Sequence, residues 1–208
     1  MSIGVKAKVV FFFTLLPYFF IYFVIQAYIT TGDYNFLIWA DGLIPFNPHF
    51  VWVYHTILPV IGVTLIFLIQ RRDLFLSAIA ALLLAIVTLF VFYIFFPSFY
   101  PRENFIDNSS ISGFLLEYTR KIDGAQNTFP SSHVTFSWLI TFFVGLSTYA
   151  KKNRWLYVGY LIWALLISFS TLAIKQHFVV DVFSGVLLAY LSYFISKKVV
   201  FARLTKSN

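Results

Sequence analysis

Long apolar runs dominate the chain, and most charged residues fall between them. A helix needs about 20 predominantly apolar residues to cross a bilayer, and six runs approach this length. One of them contains Pro59 and Gly62, which membrane helices tolerate where neighbouring helices satisfy the freed backbone groups. The pattern predicts an all-α fold, a bundle of six membrane helices. The runs are Val9–Thr30, His49–Gln70, Leu74–Phe96, Val134–Ala150, Trp155–Ile174 and Phe178–Ser196.

The loop between the third and fourth runs has a helical period of its own. Its charged residues lie away from an apolar stripe on the helical wheel, which predicts a short amphipathic helix. Ser109 or Ser110 is suited to cap the start of this helix, and Gly124 its end. The helix either lies on the outer membrane surface or forms a lid packed on the bundle. The stripe consists of Ile111, Phe114, Leu115, Tyr118 and Ile122.

Composition supports the membrane assignment. Hydrophobic residues make up 60% of the chain and charged residues 11%, which excludes an ordinary soluble domain. No repeat or linker divides residues 1–208, so we expect a single domain. The first run is too long for the core of a secretory signal and predicts a retained helix. The absence of cysteine excludes disulfides, thiolate metal sites and cysteine catalysis.

Basic residues are distributed unequally between the two sides of the six-helix arrangement. Eleven of the fifteen lie on one side, whereas the other side holds seven of the eight acids. Because Lys and Arg are enriched in short cytoplasmic loops, both termini are expected in the cytoplasm. The same placement explains the net charge of +7 without nucleic acid as a partner. We therefore expect a multi-pass protein of the cell membrane, with membrane lipids as its surroundings.

Two ionisable residues stand at the outer edge of the last apolar run. His177 and Asp181 are four positions apart, so they share a face if this segment is helical. The carboxylate can then accept a hydrogen bond from one imidazole nitrogen, which leaves the other nitrogen as a base or nucleophile. Because charges in membrane helices are costly, such a pair suggests function.

A second polar group lies where the outward loop meets the fourth run. Ser131, Ser132 and the free amides at a helix start favour an anion, and His133 follows directly. Arg102 and Lys175 supply positive charge on the same side. Catalysis of phosphoryl transfer depends largely on positioning and on such electrostatic stabilisation. Phosphoryl transfer is the chemistry that fits this set best.

These residues carry a family resemblance. Pro130-Ser131-Ser132-His133 resembles the Pro-Ser-Gly-His motif of the phosphatidic acid phosphatase type 2 superfamily. Ser170-Thr171, followed at matching spacing by His177 and Asp181, resembles that family's third motif. With six predicted helices, the resemblance covers nearly the whole chain.

The chain departs from the family pattern at two positive positions. Thr171 stands where the third motif has arginine, and the first motif is reduced to Pro101-Arg102, with Phe95 at the position of its lysine. Lys175 is a candidate replacement for the lost charge. Lys175-Gln176-His177 resembles the inositol phosphorylceramide synthase-like branch, which includes head-group transferases.

The resemblance implies a reaction without a metal or another cofactor. His177 would attack phosphorus to form a phosphohistidine, and Asp181 would orient its imidazole. His133 would protonate the leaving oxygen and then activate water. The phosphate ligands would be Ser131, Ser132, Arg102 and Lys175. The implied substrates are lipid phosphates such as phosphatidic acid, phosphatidylglycerol phosphate or a polyprenyl diphosphate.

Several alternatives remain open at this point. They are transfer of the phosphoryl group to an alcohol, an inactive lipid-binding relative, and a proton-coupled transporter with a His177–Asp181 relay. Such a relay would need polar groups across several helices, whereas these cluster at the outer ends. Two histidines and an aspartate can also ligate zinc, but no further acidic ligand is fixed nearby.

The remaining polar residues have ordinary structural explanations. Ser170 and Thr171 are expected to hydrogen-bond to backbone carbonyls of their own helix. His49 and His55 are expected to be packed or interfacial, although His55 can line a substrate entry. Asp33 and Asp41 are expected to be solvated or to form turns.

Overall fold

Helices and the loops joining them build the whole described structure. The computed structural model describes residues 3–13, 16–102 and 110–201, and within these ranges it has no strands. Short 3-10 segments lie at Trp39–Leu43 and Pro48–Phe50, and π segments at Thr64–Leu68 and Lys197–Phe201. The α-helices are α1 (Val5–Phe13), α2 (Leu16–Tyr28), α3 (Val51–Tyr54), α4 (Ile57–Val63), α5 (Arg72–Phe95), α6 (Ile111–Ile122), α7 (Ser132–Gly145), α8 (Thr148–Lys152), α9 (Arg154–Ala173) and α10 (Val179–Ser196).

Helix α7 lies at the centre of the bundle. It packs against α9 and α10, and α10 packs in turn against α5. A helix that is apolar on all sides is normally enclosed by others, and α7 has this character. Its buried side chains join a core contributed also by α4, α5, α9 and α10. Core members include Ile61, Phe75, Leu139, Phe143, Ile167 and Ala189.

Four helical stretches have the length and apolarity to cross a membrane. They are Pro48–Leu68, Arg72–Phe95, Arg154–Ala173 and Val179–Val199, and they coincide with four of the six predicted runs. The described residues do not confirm the other two. The predicted run Val9–Thr30 forms α1 and α2, each too short alone, and residues 14–15 between them lie outside the described ranges.

The predicted run Val134–Ala150 is divided between α7 and α8. Helix α7 ends at Gly145, and its 14 residues rise only about 21 Å, against a hydrocarbon core of about 30 Å. A Cβ at Gly145 would lie 2.9 Å from the ring of Tyr157 in α9. This close approach of α9 explains the glycine at the helix end.

Helix α6 forms where the loop periodicity predicts it. Ser110 caps its start by accepting a hydrogen bond from the Gly113 amide at 3.0 Å, whereas Ser109 lies outside the described residues. Asp123 is the C-cap rather than Gly124. The helix packs on the 48–54 segment through a face that includes Leu116, Ser112 and Thr119. Its apolar residues Ile111, Phe114 and Tyr118 point outward, and their position on a membrane surface stays a prediction.

The starts of α7 and α10 are held together by short backbone contacts. The Ser131 amide donates to the Asp181 carbonyl at 3.1 Å. The Thr135 hydroxyl lies 2.8 Å from the Ser131 carbonyl and 3.2 Å from the Gly185 carbonyl. A Cβ at Gly185 would lie 2.8 Å from the Ser131 carbonyl oxygen. The two helices can approach this closely only because position 185 is glycine.

We expect Gly185→Ala to lower the thermal unfolding temperature in detergent by several degrees. The added methyl would push α10 away from the backbone of Ser131, and overpacking of this kind costs about 1–3 kcal/mol. Gly159→Ala is the matched control, since a Cβ there has nothing within 4 Å and alanine favours a helix. Equal unfolding temperatures for the two variants would contradict the close contact.

Candidate active site

His177 lies in the turn before α10, and a backbone carbonyl fixes its protonation pattern. Its Nδ1 is 2.8 Å from the carbonyl oxygen of Thr128. Because a carbonyl can only accept, Nδ1 carries the proton and the Nε2 of the neutral ring has a free lone pair. The side chain is buried, with 6% of its surface exposed. Nε2 is therefore a candidate nucleophile.

Asp181 lies beside this histidine, as their spacing predicts, but it is farther from Nδ1 than the Thr128 carbonyl is. Its Oδ2 is 3.5 Å from Nδ1 of His177 and 2.8 Å from the amide nitrogen of Phe178. Its Oδ1 is buried without a hydrogen-bond partner in the described part of the chain. Asp181 therefore contributes negative charge near His177, while the shorter hydrogen bond comes from Thr128. Sequence spacing gave no signal for that carbonyl.

His133 lies in the first turn of α7, close to His177. The centroids of the two imidazole rings are 6.3 Å apart. The His133 ring stacks on Tyr54, with centroids 4.0 Å apart and planes 25° apart. Its Nδ1 is buried and has no hydrogen-bond partner among the described residues. Stacking orients this ring instead of a hydrogen bond at Nδ1.

A small polar cavity lies next to both histidines. Its volume of about 10 Å³ approaches that of one water molecule. Among the described residues, three buried donors at its wall have no hydrogen-bond partner, namely Nε of Arg102, Nδ2 of Asn127 and Nε2 of Gln176, and one acceptor, Oδ1 of Asn127, has none either. Unpaired donors are costly to bury, so their convergence suits an anion. The wall also includes Tyr22, Asp123, Gly124, Gln126, Thr128, Ser132, His133 and His177.

Asn127 and Gln176 were not predicted as site residues. Asn127 has a positive φ of 61°, a conformation that asparagine tolerates better than most residues. Gln176 accepts a hydrogen bond from Arg102 through Oε1, which turns its Nε2 toward other partners. Asparagine and glutamine side chains have no distinctive spacing, so only the folded arrangement reveals them.

Arg102, predicted as a phosphate ligand, lines the small cavity and is anchored by several hydrogen bonds. Its Nη atoms donate to the carbonyls of Asp123 at 2.6 Å and Arg120 at 3.3 Å, and also to Gly124 and Gln176. Burial lowers the pKa of its guanidinium, and the negative charge of Asp123 opposes that shift. Guanidinium remains protonated in proteins, so Arg102 is a fixed cation.

The two serines of the motif have different positions. Ser132, predicted as a phosphate ligand, lines the small cavity. Ser131 instead caps α7, with its hydroxyl 3.4 Å from the amide nitrogen of Val134, and it is completely buried. Its side chain is not part of the cavity wall.

Lys175 differs from the expectation that it replaces the missing arginine. Its Nζ donates to the carbonyls of Ile44 at 2.6 Å and Asp41 at 3.1 Å, and it is not part of the cavity wall. Its φ of 57° belongs to a left-handed turn. The physical reason for the difference is that two backbone carbonyls already bind the ammonium group.

Thr171 and Ser170 act within their helix, as expected. The Thr171 hydroxyl donates to the Ser168 carbonyl at 2.8 Å, and that of Ser170 to the Ile167 carbonyl at 2.7 Å. The carbonyl of Thr171 also accepts from the amide of His177 at 3.3 Å. The position of the family's arginine therefore supports the turn that carries the histidine.

Of the two alternatives expected for Asp41, the structure confirms the turn, and the residue is buried rather than solvated. Asp41 is 5% exposed, and its Oδ2 accepts from the Ile38 amide at 2.9 Å. Its Oδ1 accepts from the Val179 amide at 2.8 Å, in the first turn of α10. The first amides of a helix have no acceptor within the helix, and the Asp41 carboxylate supplies one to each of these two helix starts. This role explains why the carboxylate is buried. Asp33 is exposed, as expected.

A larger, mostly apolar cavity of about 230 Å³ adjoins the small one. The two share Tyr22, Asp123, Ser132 and His133 in their walls. Some wall residues are also on the protein surface, which places an opening between α2, α4 and α6. These exposed wall residues are Phe23, Leu58, Tyr118 and Ile122.

The two remaining histidines are hydrogen-bonded to other helices. His55 lines the larger cavity, with Nε2 2.8 Å from the Thr119 hydroxyl. His49 lies with Nδ1 2.9 Å from the Ser112 hydroxyl, away from both cavities. Within the described ranges, no three His, Asp or Glu side chains are grouped to hold a metal ion.

Comparison with known families adds independent information. A family model described as the PAP2 superfamily matches residues 37–195. The chain belongs to the PAP2 superfamily. Neither the curated proteins nor the solved structures gave a match. PAP2 members are generally phosphatases, so membership supports an activity of the phosphatase or phosphotransferase type in a membrane protein. The inositol phosphorylceramide synthase-like branch is not tested by this match and stays a prediction.

Asp41→Ala should destabilise this PAP2 protein, because the backbone amides of Ile38 and Val179 would lose their acceptor. Loss of a helix cap costs about 0.5–2 kcal/mol, which lowers the thermal unfolding temperature by several degrees. Asp33→Ala is the matched control, since that carboxylate is exposed. Unfolding curves of both variants in one detergent provide the measurement, and an Asp41 variant as stable as the Asp33 variant would refute the capping role.

Proposed function

We propose that this protein is a lipid phosphatase that hydrolyses a phosphomonoester or diphosphate through a phosphohistidine at His177. The observation that carries the proposal is the hydrogen bond from Nδ1 of His177 to Thr128, which leaves Nε2 unprotonated beside a cavity rich in unpaired donors. The resemblance of the motifs and the PAP2 match agree with this chemistry.

The proposed reaction has two steps. Nε2 of His177 attacks phosphorus, the bond to the leaving oxygen breaks, and His133 gives that oxygen a proton. Water then attacks the phosphohistidine, His133 takes a proton from it, and the bond between Nε2 and phosphorus breaks. Asp181 stabilises the positive charge of the His177 ring at 3.5 Å. No metal or other cofactor is required in this scheme.

The small cavity holds about one water molecule, so the phosphoryl group is proposed to lie where the larger cavity meets it, with an oxygen directed to the unpaired donors. Arg102 supplies charge through Nε, while Asn127 and Gln176 supply amide N–H groups. Ser132 and the amides of the first turn of α7 add further donors. Ser131 and Lys175, predicted as ligands, are instead proposed to support the two chain segments that carry His133 and His177.

The lipid chain is proposed to occupy the larger cavity and to leave it between α2, α4 and α6. The apolar residues at this opening suit hydrocarbon, and the cavity joins the phosphate region at His133. The site would face the outer leaflet, with both termini cytoplasmic, as the basic residues predict. Phosphatidic acid, phosphatidylglycerol phosphate and polyprenyl diphosphates belong to this substrate class.

Transfer to an alcohol acceptor is the second candidate. The larger cavity borders His133, and its volume admits a small alcohol in place of water. The Lys175-Gln176-His177 segment, with its resemblance to a transferase branch, points the same way. An inactive lipid-binding protein would bind the same lipids without turnover.

Phosphate release should disappear in His177→Gln and persist in a chelator. The purified protein is incubated in detergent with the three lipid classes, with and without inositol or another alcohol. His49→Gln is the control, because His49 lies away from both cavities. Loss of activity only in the His177 variant supports the nucleophile, and a trapped phosphohistidine identifies it directly.

The same assay separates the alternatives. A phosphodiester formed only with an alcohol would identify a transferase. Lipid binding without product from the wild-type protein would favour the inactive relative, and full activity of His177→Gln would refute the proposed nucleophile.

Asn127→Gly is expected to raise KM for a lipid phosphate about tenfold, the loss associated with one or two hydrogen bonds to a charged group. Glycine accepts the positive φ at this position, and no hydrogen bond within the described protein is lost. Thermal stability should therefore stay within a few degrees of the wild type. A variant with unchanged KM, or one that unfolds, would argue against phosphate binding by Asn127.

A further inference from the structure

The two histidines of the site differ in their electrostatic support. Nδ1 of His177 has a carbonyl at 2.8 Å and a carboxylate at 3.5 Å. Nδ1 of His133 has no hydrogen-bond partner in the described residues. A buried imidazole is costly to protonate without a partner. The proposed role of His133 as an acid therefore needs support from another direction.

Tyr54 contacts His133 through the face of its ring. The centroids are 4.0 Å apart, and the rings are nearly parallel. A cation stacked on an aromatic face is stabilised by the negative face of the ring. Protonated His133 would be such a cation.

The hydroxyl group of Tyr54 connects this ring to a carboxylate. It donates to Oδ2 of Asp123 at 2.8 Å, while the hydroxyl of Tyr22 donates to Oδ1. No Lys, Arg or His side chain in the described ranges forms an ion pair with Asp123. A phenol that donates to a carboxylate becomes richer in electron density, which strengthens the attraction of its ring for a cation.

Positively charged groups around His133 disfavour its protonation. Its surroundings include His177, His55 and Arg102, and positive charge on any of them disfavours a second cation. Asp123 borders both cavities next to His133, whereas Asp181 is paired with His177. Asp123 is thus placed to offset the neighbouring positive charge.

We propose that Asp123 and Tyr54 are positioning residues that hold the His133 ring and stabilise its protonated form while the leaving oxygen departs. This inference rests on the proposed function. In the step concerned, the bond between phosphorus and the leaving oxygen breaks, its electron pair stays on oxygen, and the proton moves there from His133. Asp123 and Tyr54 transfer no proton themselves.

The test uses two substrates that differ in their need for an acid. The alcohol of an alkyl phosphate is a poor leaving group, because it departs as a basic alkoxide unless an acid protonates it. The nitrophenolate of p-nitrophenyl phosphate departs without such help. The measured quantity is kcat/KM, which reports the steps through departure of the leaving group and is not affected by later hydrolysis. The full-length protein is assayed in detergent micelles as the wild type and as Asp123→Asn and Tyr54→Phe.

We expect both variants to lose about tenfold in kcat/KM for the alkyl phosphate and less than about threefold for p-nitrophenyl phosphate. A loss of about tenfold is smaller than the whole contribution of a general acid, because His133 itself remains in place. Tyr22→Phe is the matched control. It removes the other phenol hydroxyl from the same carboxylate but does not touch the stacked ring, so the ratio between the substrates should stay at the wild-type value. The double variant Asp123→Asn/Tyr54→Phe should lose little more than either single variant, because both act through one contact.

Equal losses for the two substrates would show a structural role and overturn the inference. A changed ratio in Tyr22→Phe would overturn it as well. A wild-type protein that releases phosphate from neither substrate would contradict the proposed function instead, so the two failures are distinguishable. Unfolding curves of each variant confirm that the assayed protein is folded.

Discussion

The hydrogen bond between Nδ1 of His177 and the carbonyl of Thr128 determines what the site can do. It decides which imidazole nitrogen is unprotonated, and it joins the turn before α10 to the segment before α7. The nearby carboxylate of Asp181 adds charge but is farther away. Without this carbonyl, either ring nitrogen could carry the proton, and Nε2 would be unprotonated in only part of the molecules.

Several elements of the fold keep that carbonyl in place. The buried hydroxyl of Ser98 accepts a hydrogen bond from the Phe129 amide at 2.8 Å and pairs with the Thr128 hydroxyl at 2.9 Å. The amide of Asn127 donates to the Ser98 carbonyl at 3.0 Å. On the other side, the close approach at Gly185 fixes α10 against α7. The 127–129 segment is thus held by Ser98, which follows α5, while the start of α7 is held by α10.

The sequence predicted the elements whose chemistry depends on residue type and spacing. Four of the six apolar runs correspond to helices long enough to cross a membrane, and the motifs identified His133, His177 and Asp181, which the fold places close together. The helical period of the loop predicted α6. Because these patterns are local, they can be recognised without knowing how the helices pack.

Contacts between distant segments could not be predicted in this way. Nothing in the sequence linked Thr128 to His177, or Asp123 to Tyr54, since these pairs depend on how loops cross at the bundle end. Lys175 was assigned to phosphate because of its charge, but the direction of its side chain depends on a left-handed turn. The division of the fourth run at Gly145 follows from the approach of α9, which is also a tertiary effect.

The buried carboxylate of Asp41 affects local unfolding of this protein. The carboxylate accepts from the Val179 amide and the Asp41 carbonyl accepts from Lys175, so the 38–44 turn is joined to the segment around His177 by partners 138 and 134 positions apart in the chain. A turn held by such distant residues cannot fray alone while the rest stays folded, because its contacts belong to two segments at once. The backbone around His177, the proposed nucleophile, should therefore resist amide exchange and proteolysis together with the bundle, unlike a site carried on a free loop.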